Sequence, residues 1–510
     1  MLSSSPLPQR PLRTNRENEA VRRTAIVDLG SNSFRVVVFR YEVGGAWAVW
    51  DEIREPVRLS AGMGAENVLR HGPVARALDT VRTFVAFCAQ TGVDDVLAVG
   101  TSALRDAANG AEVVTAIQDA GLEVRILDGQ EEAYYGALAI LNTSTVDDGF
   151  GLDMGGGSIQ LMRLHDAEME DWVSLPLGAV RATEAFLPGD DPKSEVKALR
   201  KEVRKALGKL EWLESGAGPL AGIGGSVRNI AAAAQKLHEL PNGSVQGFSL
   251  TTEMVSGVVS ELAGRTVDER RALTGINPDR GDVILAAAVV LETILTETGF
   301  AAIEITEAGL REGIFFERYF DGREPAVFDG VGRASVQNLM LRHGTDVVHS
   351  TRVAALALAL YDGLEETATI EASEDDRRLL EAAALLHDIG RGVAYDNRHK
   401  HARYLILDEG LPGFTRDDML TIAQIVRYIP KGTPEADTRV ELLAGVLRVS
   451  EQLERTRSSD VNGLAIRTDG EAVVMLVDAE PGASVGLWAA AHSTELLSGA
   501  LGRSVIVRPA

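Results

Sequence analysis

The chain has 510 residues, and its 51 Lys and Arg against 74 Asp and Glu give a formal net charge of −23 at pH 7. This length exceeds what one hydrophobic core supports, so we expect several packing units. The acidic balance argues against general nucleic-acid binding, because phosphate backbones are usually met by a basic surface.

The N-terminal residues 1–23 are rich in Ser, Pro, Arg and Asn and show no apolar periodicity, which predicts a disordered tail. They lack the apolar stretch of a secretory signal. The apolar run 283–295 is interrupted by Glu292 and Thr293 and is typical of a buried helix rather than a membrane span. One cysteine, Cys88, excludes an internal disulfide. We therefore expect a cytoplasmic protein without membrane contact.

Strands and helices alternate in the first organised unit. Strand patterns at 24–50 are followed by a helical run at 74–91, a strand at 93–101 and a short strand at 124–127. A Gly-Gln-Glu-Glu-Ala segment from Gly129 then opens a helix. Strand–helix alternation of this kind predicts α/β layers.

Two similar turns stand out, each with an Asp at the end of a strand. The first runs from Asp28 through Gly30 to Ser31, Asn32 and Ser33. The second runs from Asp153 through three glycines, Gly155, Gly156 and Gly157, to Ser158. Glycines let backbone N–H groups turn towards an anion, and the Asp can hold a divalent cation. Two copies in one chain predict two facing half-sites, although ordinary turn chemistry explains each turn taken singly.

A third turn, Gly224-Gly225-Ser226, opens a helix after the apolar segment 220–223. Helix N-termini attract anions through their unpaired N–H groups, but Gly-Gly turns also occur as plain connectors. Its position in the second unit favours a third contact to the same anion.

Beyond about residue 328 the pattern becomes helical, and short alternating strands return at 464–477 and 504–507. The helical part carries a basic cluster, Arg391, Arg398, His399, Lys400, His401 and Arg403. A solvated helix face explains such a cluster as well as a binding role does.

The order of these motifs resembles the exopolyphosphatase and guanosine pentaphosphate phosphatase family over nearly the whole chain. The resemblance also includes the segments 100–105, 222–226, 280–282 and 309–313, and the His387-Asp388-Ile389-Gly390 segment resembles the HD-like domain of long bacterial members. It implies a duplicated actin, sugar-kinase and Hsp70-like α/β fold, of the ribonuclease H-like type, followed by a mainly helical HD-like domain and a small C-terminal α+β part. The domains expected are 24–138, 139–313, 325–460 and 461–510.

The resemblance also implies roles for individual residues. Glu132 matches the catalytic Glu that orients or deprotonates the attacking water, whereas a helix N-terminus is the ordinary explanation for the pair Glu131 and Glu132. Arg105 matches a phosphate ligand. Asp153 and Asp28 are the expected ligands of Mg²⁺, with Mn²⁺ as the alternative. The remaining expected phosphate contacts are Ser31, Asn32, Ser33, Gly155, Gly156, Gly157, Ser158, Gly224, Gly225 and Ser226.

The chain departs from the family at two places. Gln160 stands where relatives usually have Glu, which removes one anionic ligand. In the HD-like region, Tyr395, Arg398 and Ile429 stand where relatives commonly have His, and the late helix offers Glu451 but no Asp. We therefore expect this domain to extend the cleft rather than to hydrolyse substrate. Its residues Arg398, His399, Lys400, His401 and Arg403 would hold the distal part of a long anionic chain.

The sequence thus predicts a Mg²⁺-dependent exopolyphosphatase that releases terminal orthophosphate from inorganic polyphosphate. Hydrolysis of guanosine pentaphosphate (pppGpp) is the close alternative, because both reactions remove a terminal phosphoryl group. An actin-like ATPase or sugar kinase and a non-catalytic sensor are the alternatives from other classes. A homodimer is expected from the resemblance alone.

Overall fold

The structure is a computed structural model, and it describes residues 21–64, 66–189, 192–213, 218–240, 243–434 and 437–510. Most of the predicted disordered tail, residues 1–20, lies outside the described residues. Arg22 and Arg23 belong to the first strand, so the predicted tail extends two residues too far. Among the described residues, no helix is long and apolar enough to cross a membrane.

The first sheet has five strands in the order β3-β2-β1-β4-β5. Strand β1 pairs antiparallel with β2 and parallel with β4. The strands are β1 (Arg22–Leu29), β2 (Phe34–Tyr41), β3 (Trp47–Glu55), β4 (Asp95–Gly100) and β5 (Val124–Ile126), and the helices are α1 (His71–Thr91), α2 (Ser102–Asp106), α3 (Gly110–Asp119) and α4 (Gly129–Leu141).

The second sheet has six strands in the order β10-β11-β9-β6-β7-β8. Its strands are β6 (Gly149–Met154), β7 (Ile159–His165), β8 (Glu168–Leu175), β9 (Leu220–Ile223), β10 (Phe248–Thr251) and β11 (Ala302–Ile305). Its helices are α5 (Ala179–Phe186), α6 (Pro192–Leu207), α7 (Gly225–Leu237), α8 (Thr252–Ala263), α9 (Val267–Arg271), α10 (Ile284–Thr298) and α11 (Leu310–Phe320), with a 3₁₀ turn at Pro278–Arg280.

The two sheets repeat one topology, because β8-β7-β6-β9-β11 has the same order and strand directions as β3-β2-β1-β4-β5. Strand β10 is an added antiparallel edge. In each sheet the Asp-Gly turn joins the first two strands of the repeat. This confirms the predicted duplicated α/β fold.

Helices α4 and α11 join the two repeats through a shared core that includes Phe39 of the first sheet and Met162 of the second. They approach so closely that a Cβ added at Gly313 would lie 1.9 Å from the Tyr135 carbonyl oxygen. The ring of Phe315 stacks on Phe39 with centroids 4.2 Å apart. This packing fixes the width of the cleft between the repeats.

The rest of the chain is mainly helical and ends in a three-stranded sheet of order β12-β13-β14. Residues of this sheet, such as Val473, share one hydrophobic core with the helices. The elements are α12 (Val331–Arg342), α13 (Val347–Glu366), α14 (Glu374–Leu386), α15 (Arg398–Glu409), α16 (Arg416–Arg427), α17 (Thr438–Leu453), β12 (Val461–Asp469), β13 (Ala472–Ala479), α18 (Ser484–Ala491), α19 (Glu495–Leu501) and β14 (Ser504–Pro509), with a 3₁₀ turn at Ile389–Gly392. The predicted domain limits stay predictions.

Candidate active site

The two Asp-Gly turns face each other across the cleft. A Cβ added at Gly157 would lie 2.2 Å from the Ser102 hydroxyl oxygen and 2.9 Å from that of Ser31, so only glycine permits this approach. The hydroxyls of Ser31 and Ser102 are themselves 3.1 Å apart. The structure therefore brings together the two half-sites that the sequence predicts.

The third glycine turn completes the same site. Gly224 has φ of 102°, in the left-handed region that favours glycine, and it leads directly into α7. A Cβ at this position would lie 3.0 Å from Asp153 Oδ1. The neighbouring Ser226 hydroxyl accepts a hydrogen bond from Arg280 Nη1 at 3.1 Å.

One cavity of about 140 Å³ collects these groups. Of the predicted contacts, its lining includes Asp28, Ser31, Asn32, Ser33, Glu132, Asp153, Gly155, Gly156, Gly157, Ser158, Gly224 and Gly225. Ser226 and Arg105 do not line the cavity: Ser226 is hydrogen-bonded to the lining residue Arg280, and Arg105 is hydrogen-bonded to the lining residue Glu132.

The two adjacent acids at the start of α4 do different things. Glu131 forms a capping box with Asp128, in which each side chain accepts a backbone N–H of the other residue. Glu132 is buried and lines the cavity. Glu131 therefore has the ordinary capping role at the helix N-terminus, and Glu132 is the residue of the pair that faces the cavity.

Three side chains hold the Glu132 carboxylate. Arg105 Nη1 donates to Oε1 at 2.6 Å, while Gln160 Nε2 and the Ser158 hydroxyl donate to Oε2 at 2.6 and 3.2 Å. Each carboxylate oxygen can accept about two hydrogen bonds, and Arg105 is the one donor to Oε1 among the described residues, so Oε1 keeps an open acceptor position.

The pKa values of the three carboxylates in the cavity are all raised. Burial, followed by the charges of Glu132 and Asp28, raises the pKa of Asp153 to about 7. Burial also raises the pKa of Glu132, and Arg105 opposes the shift. The pKa of Asp28 is raised by burial as well, against Arg311, which donates to its Oδ2 at 3.2 Å. Clustered carboxylates that burial makes costly to ionise are a donor set that fits a hard divalent cation.

Five arginines in the same cavity were missed as site residues. They come from β2, β3, α7, the 3₁₀ turn and α11: Arg35, Arg54, Arg228, Arg280 and Arg311. Burial, followed by the charges of Arg54 and Arg228, lowers the pKa of Arg280 to about 10. The sequence offered a signal for three of them, because Arg280 and Arg311 stand in family-like segments and Arg228 follows the third glycine turn by two residues.

The basic cluster predicted to form a distal groove is only partly available. Arg398 is not a free cation, because its Nε donates to Asp388 Oδ1 at 3.1 Å and its Nη2 lies 3.6 Å from Glu451 Oε1. This corrects its assignment to the groove. Burial, with the charge of Arg427 next, lowers the pKa of the partly buried His399 to about 4, so this side chain is neutral at pH 7. Lys400 and Arg403 are exposed, and His401 is partly buried.

His349, His387 and Asp388 form a buried cluster in the helical region. The ligand atoms of these three side chains lie within 4.8 Å of one another, and among the described residues both ring nitrogens of His349 and Nε2 of His387 have no hydrogen-bond partner. Both Asp388 oxygens are engaged by arginines, Oδ1 by Arg398 and Oδ2 by Arg457. The two guanidinium groups therefore neutralise the buried Asp388 carboxylate.

The duplicated sheet, the facing glycine turns and the acidic, arginine-rich cleft define the class as an actin-like fold with a cleft site. The model of the Ppx/GppA phosphatase family matches residues 37–319, and that of Ppx/GppA phosphatase domain III matches residues 331–470. The first match covers more than half of the chain, so the chain belongs to the Ppx/GppA phosphatase family, whose members generally use a divalent metal.

Solved structures agree with this fold. The chain is 26% identical to an exopolyphosphatase-like protein, with 58% of this chain and 98% of that protein covered at a TM-score of 0.52. It is 22% identical to an exopolyphosphatase from Cytophaga hutchinsonii, over 60% of this chain and 100% of that one, at a TM-score of 0.54. An Aquifex aeolicus member of the Ppx/GppA family is 23% identical, with the same coverage and a TM-score of 0.52.

Proposed function

We propose that this phosphatase is an exopolyphosphatase, which hydrolyses the terminal phosphoanhydride bond of inorganic polyphosphate with the help of Mg²⁺. The observation that carries the proposal is the cavity itself, in which five arginines and three glycine turns surround Asp28, Glu132 and Asp153. A row of phosphates presents several negative charges, and an acidic protein needs such a local excess of arginines to hold it. The exopolyphosphatase-like protein among the solved structures supports the same substrate class.

Glu132 supplies the base of the proposed reaction. Its Oε1 keeps an acceptor position beside the bond from Arg105, and a water bonded there would face the terminal phosphate. As the water oxygen bonds to phosphorus, its proton passes to Glu132. The bridging P–O bond breaks and its electron pair leaves with the shortened chain, so orthophosphate and one shorter polyphosphate are formed.

The other groups bind and orient the substrate. Backbone N–H groups of the glycine turns and the guanidinium groups of Arg228, Arg280 and Arg311 would hold the nonbridging oxygens. Asp28 and Asp153 would hold the divalent cation, which neutralises charge on the phosphates when it is bound. The raised pKa of Asp153 supports this role, because a bound cation relieves the repulsion between the carboxylates.

The test is orthophosphate release with Mg²⁺ from long-chain polyphosphate and from pppGpp, at equal concentrations of terminal phosphate. Faster release from polyphosphate is the expected result. A strong preference for pppGpp would replace the proposal by a pppGpp phosphohydrolase activity. Binding of both without release would indicate a sensor, and ATP-dependent phosphorylation of a sugar would indicate a kinase.

A further inference from the structure

Gln160 lies at the centre of the second half-site although it is not an acid. On the sheet it stands opposite Asp153 of β6 and opposite Ser174 of β8, so these three side chains share one face. Its side chain is 2% exposed, and it lines the cavity. A glutamine this deeply buried needs partners for its amide.

The amide nitrogen finds these partners around Glu132. Nε2 lies 2.6 Å from Glu132 Oε2, 3.0 Å from the Ser158 hydroxyl and 3.1 Å from the Ser174 hydroxyl. An ionised carboxylate only accepts hydrogen bonds, so the amide must present an N–H to Glu132. The two serines receive the second N–H and fix the plane of the amide.

We propose that Gln160 is a positioning residue for the reaction, which holds Oε2 of Glu132 so that Oε1 faces the attacking water. This inference rests on the proposed function. Gln160 and Ser158 together fill the acceptor positions of Oε2, and Arg105 takes one position on Oε1. The remaining acceptor position is therefore confined to one oxygen, which orients the base before the substrate arrives.

The neutral amide of Gln160 orients Glu132 in a different way from the glutamate that the family resemblance implies at this position. A carboxylate 2.6 Å from Glu132 Oε2 would repel it unless a proton or a cation lay between them. The amide donates at every pH and without a cation. In this chain the orientation of Glu132 therefore does not depend on metal binding, and the site holds its cation with one carboxylate fewer.

The first experiment is a double-mutant cycle on orthophosphate release. Gln160→Met keeps the length of the side chain and removes the donor, and we expect kcat to fall by about tenfold or more with KM little changed, since misorientation of a catalytic group costs rate. The same substitution in a Glu132→Gln background should have little further effect, because the residue acts through Glu132. Gln235→Met, which replaces another buried glutamine outside the cavity, is the matched control.

An equal loss in both backgrounds, or no loss in either, would overturn the inference. A second measurement does not depend on turnover: calorimetric titration of Mg²⁺ into the wild type and into Gln160→Glu without substrate. A carboxylate at this position lies beside Glu132, so we expect cation binding to become about tenfold tighter. Unchanged affinity would show that the end of residue 160 is not beside the carboxylates. If the wild type releases phosphate from neither substrate, the proposed function fails, whereas the titration still decides on Gln160.

Discussion

Arg105 donates from Nη1 to Oε1 of Glu132 over 2.6 Å, so the arginine expected to bind phosphate is hydrogen-bonded to the expected catalytic base. The carboxylate is almost fully buried, while the Arg105 side chain is 24% exposed and also contacts Asp106. Burial alone would favour the protonated acid, and Arg105 opposes that effect on the pKa of Glu132. The charge of Arg105 therefore favours the ionised form of this buried carboxylate, and in the proposed mechanism Arg105 acts through Glu132.

The two acids of α4 give the most direct test of this assignment. Glu132→Gln preserves shape and removes the base, so we expect kcat for polyphosphate to fall by about 10² or more, with KM changed much less. Glu131→Gln keeps an oxygen that can accept the Asp128 N–H of the capping box and loses the ion pair with Arg125, so it should leave kcat nearly unchanged and lower stability by less than about 1 kcal/mol. Initial rates and thermal unfolding of both variants measure these effects. Equal rates in the two variants would remove Glu132 from the mechanism.

Local patterns predicted much of the site. Asp28 and Asp153 each lie at the end of a strand and precede a glycine turn, and such short-range patterns survive folding. The repeat of that pattern predicted the two facing half-sites, and the family resemblance implied the duplicated sheets. The local pattern alone could not show which of the adjacent residues Glu131 and Glu132 belongs to the site. The family resemblance favoured Glu132, and the structure shows that Glu131 forms the capping box with Asp128.

Local sequence patterns could not predict which residues from distant segments meet in the cleft, because tertiary packing determines this. Arg35 and Arg54 lie on neighbouring strands, but Arg280 and Arg311 come from distant segments, and only the closed cleft brings them together. For Arg398 the error runs the other way: the basic cluster predicted a free surface cation, but Arg398 is bonded to the buried Asp388. Gln160 was recognised as a missing acid, and its bond to Glu132 became visible only with the fold.

Arg280 should matter for binding more than for folding. It is surrounded by Arg54, Arg228 and Arg311, whose repulsion adds to burial in lowering its pKa to about 10. We expect Arg280→Ala to raise KM for polyphosphate by about tenfold or more, because a desolvated charge pair with the substrate is lost. The variant should unfold at the same temperature as the wild type or higher. Arg271→Ala, an exposed arginine paired with Asp268, is the control and should change neither value.

The remaining basic residues of α15 test the distal-groove prediction. Lys400 and Arg403 are exposed, so the double change to Ala should weaken binding of long polyphosphate several-fold and leave short chains unaffected. Equal effects on long and short chains would contradict an extended groove. Arg398→Ala should instead lower thermal stability, because it leaves the buried Asp388 and Glu451 short of a partner.

His349 makes the stability of the helical region depend on pH. Burial, with the neighbouring His387 next, lowers the pKa of His349 to about 4, whereas an unfolded chain titrates its histidines near 6.5. Between these values the unfolded state binds a proton that the folded state does not, so stability falls as pH falls, by about 1.4 kcal/mol per pH unit. Above pH 6.5 the effect disappears.

The variant His349→Leu removes this proton uptake, and neither ring nitrogen has a hydrogen-bond partner among the described residues whose loss would cost stability. We expect the difference in free energy of unfolding between pH 6.5 and pH 5 to shrink by about 2 kcal/mol relative to the wild type. Urea denaturation at the two pH values measures it, with His492→Leu as the exposed control. An unchanged pH dependence in His349→Leu would mean that His349 titrates normally in the folded protein. The pair of Asp388 and Arg457 adds a separate pH dependence. Burial alone would raise the pKa of Asp388, but the nearby positive charges outweigh burial and lower it to about 2. The contribution of Asp388 to the free energy of unfolding is therefore lost only as pH falls from about 4 towards 2. The two windows do not overlap, so the contribution of Asp388 does not affect the comparison between pH 6.5 and pH 5.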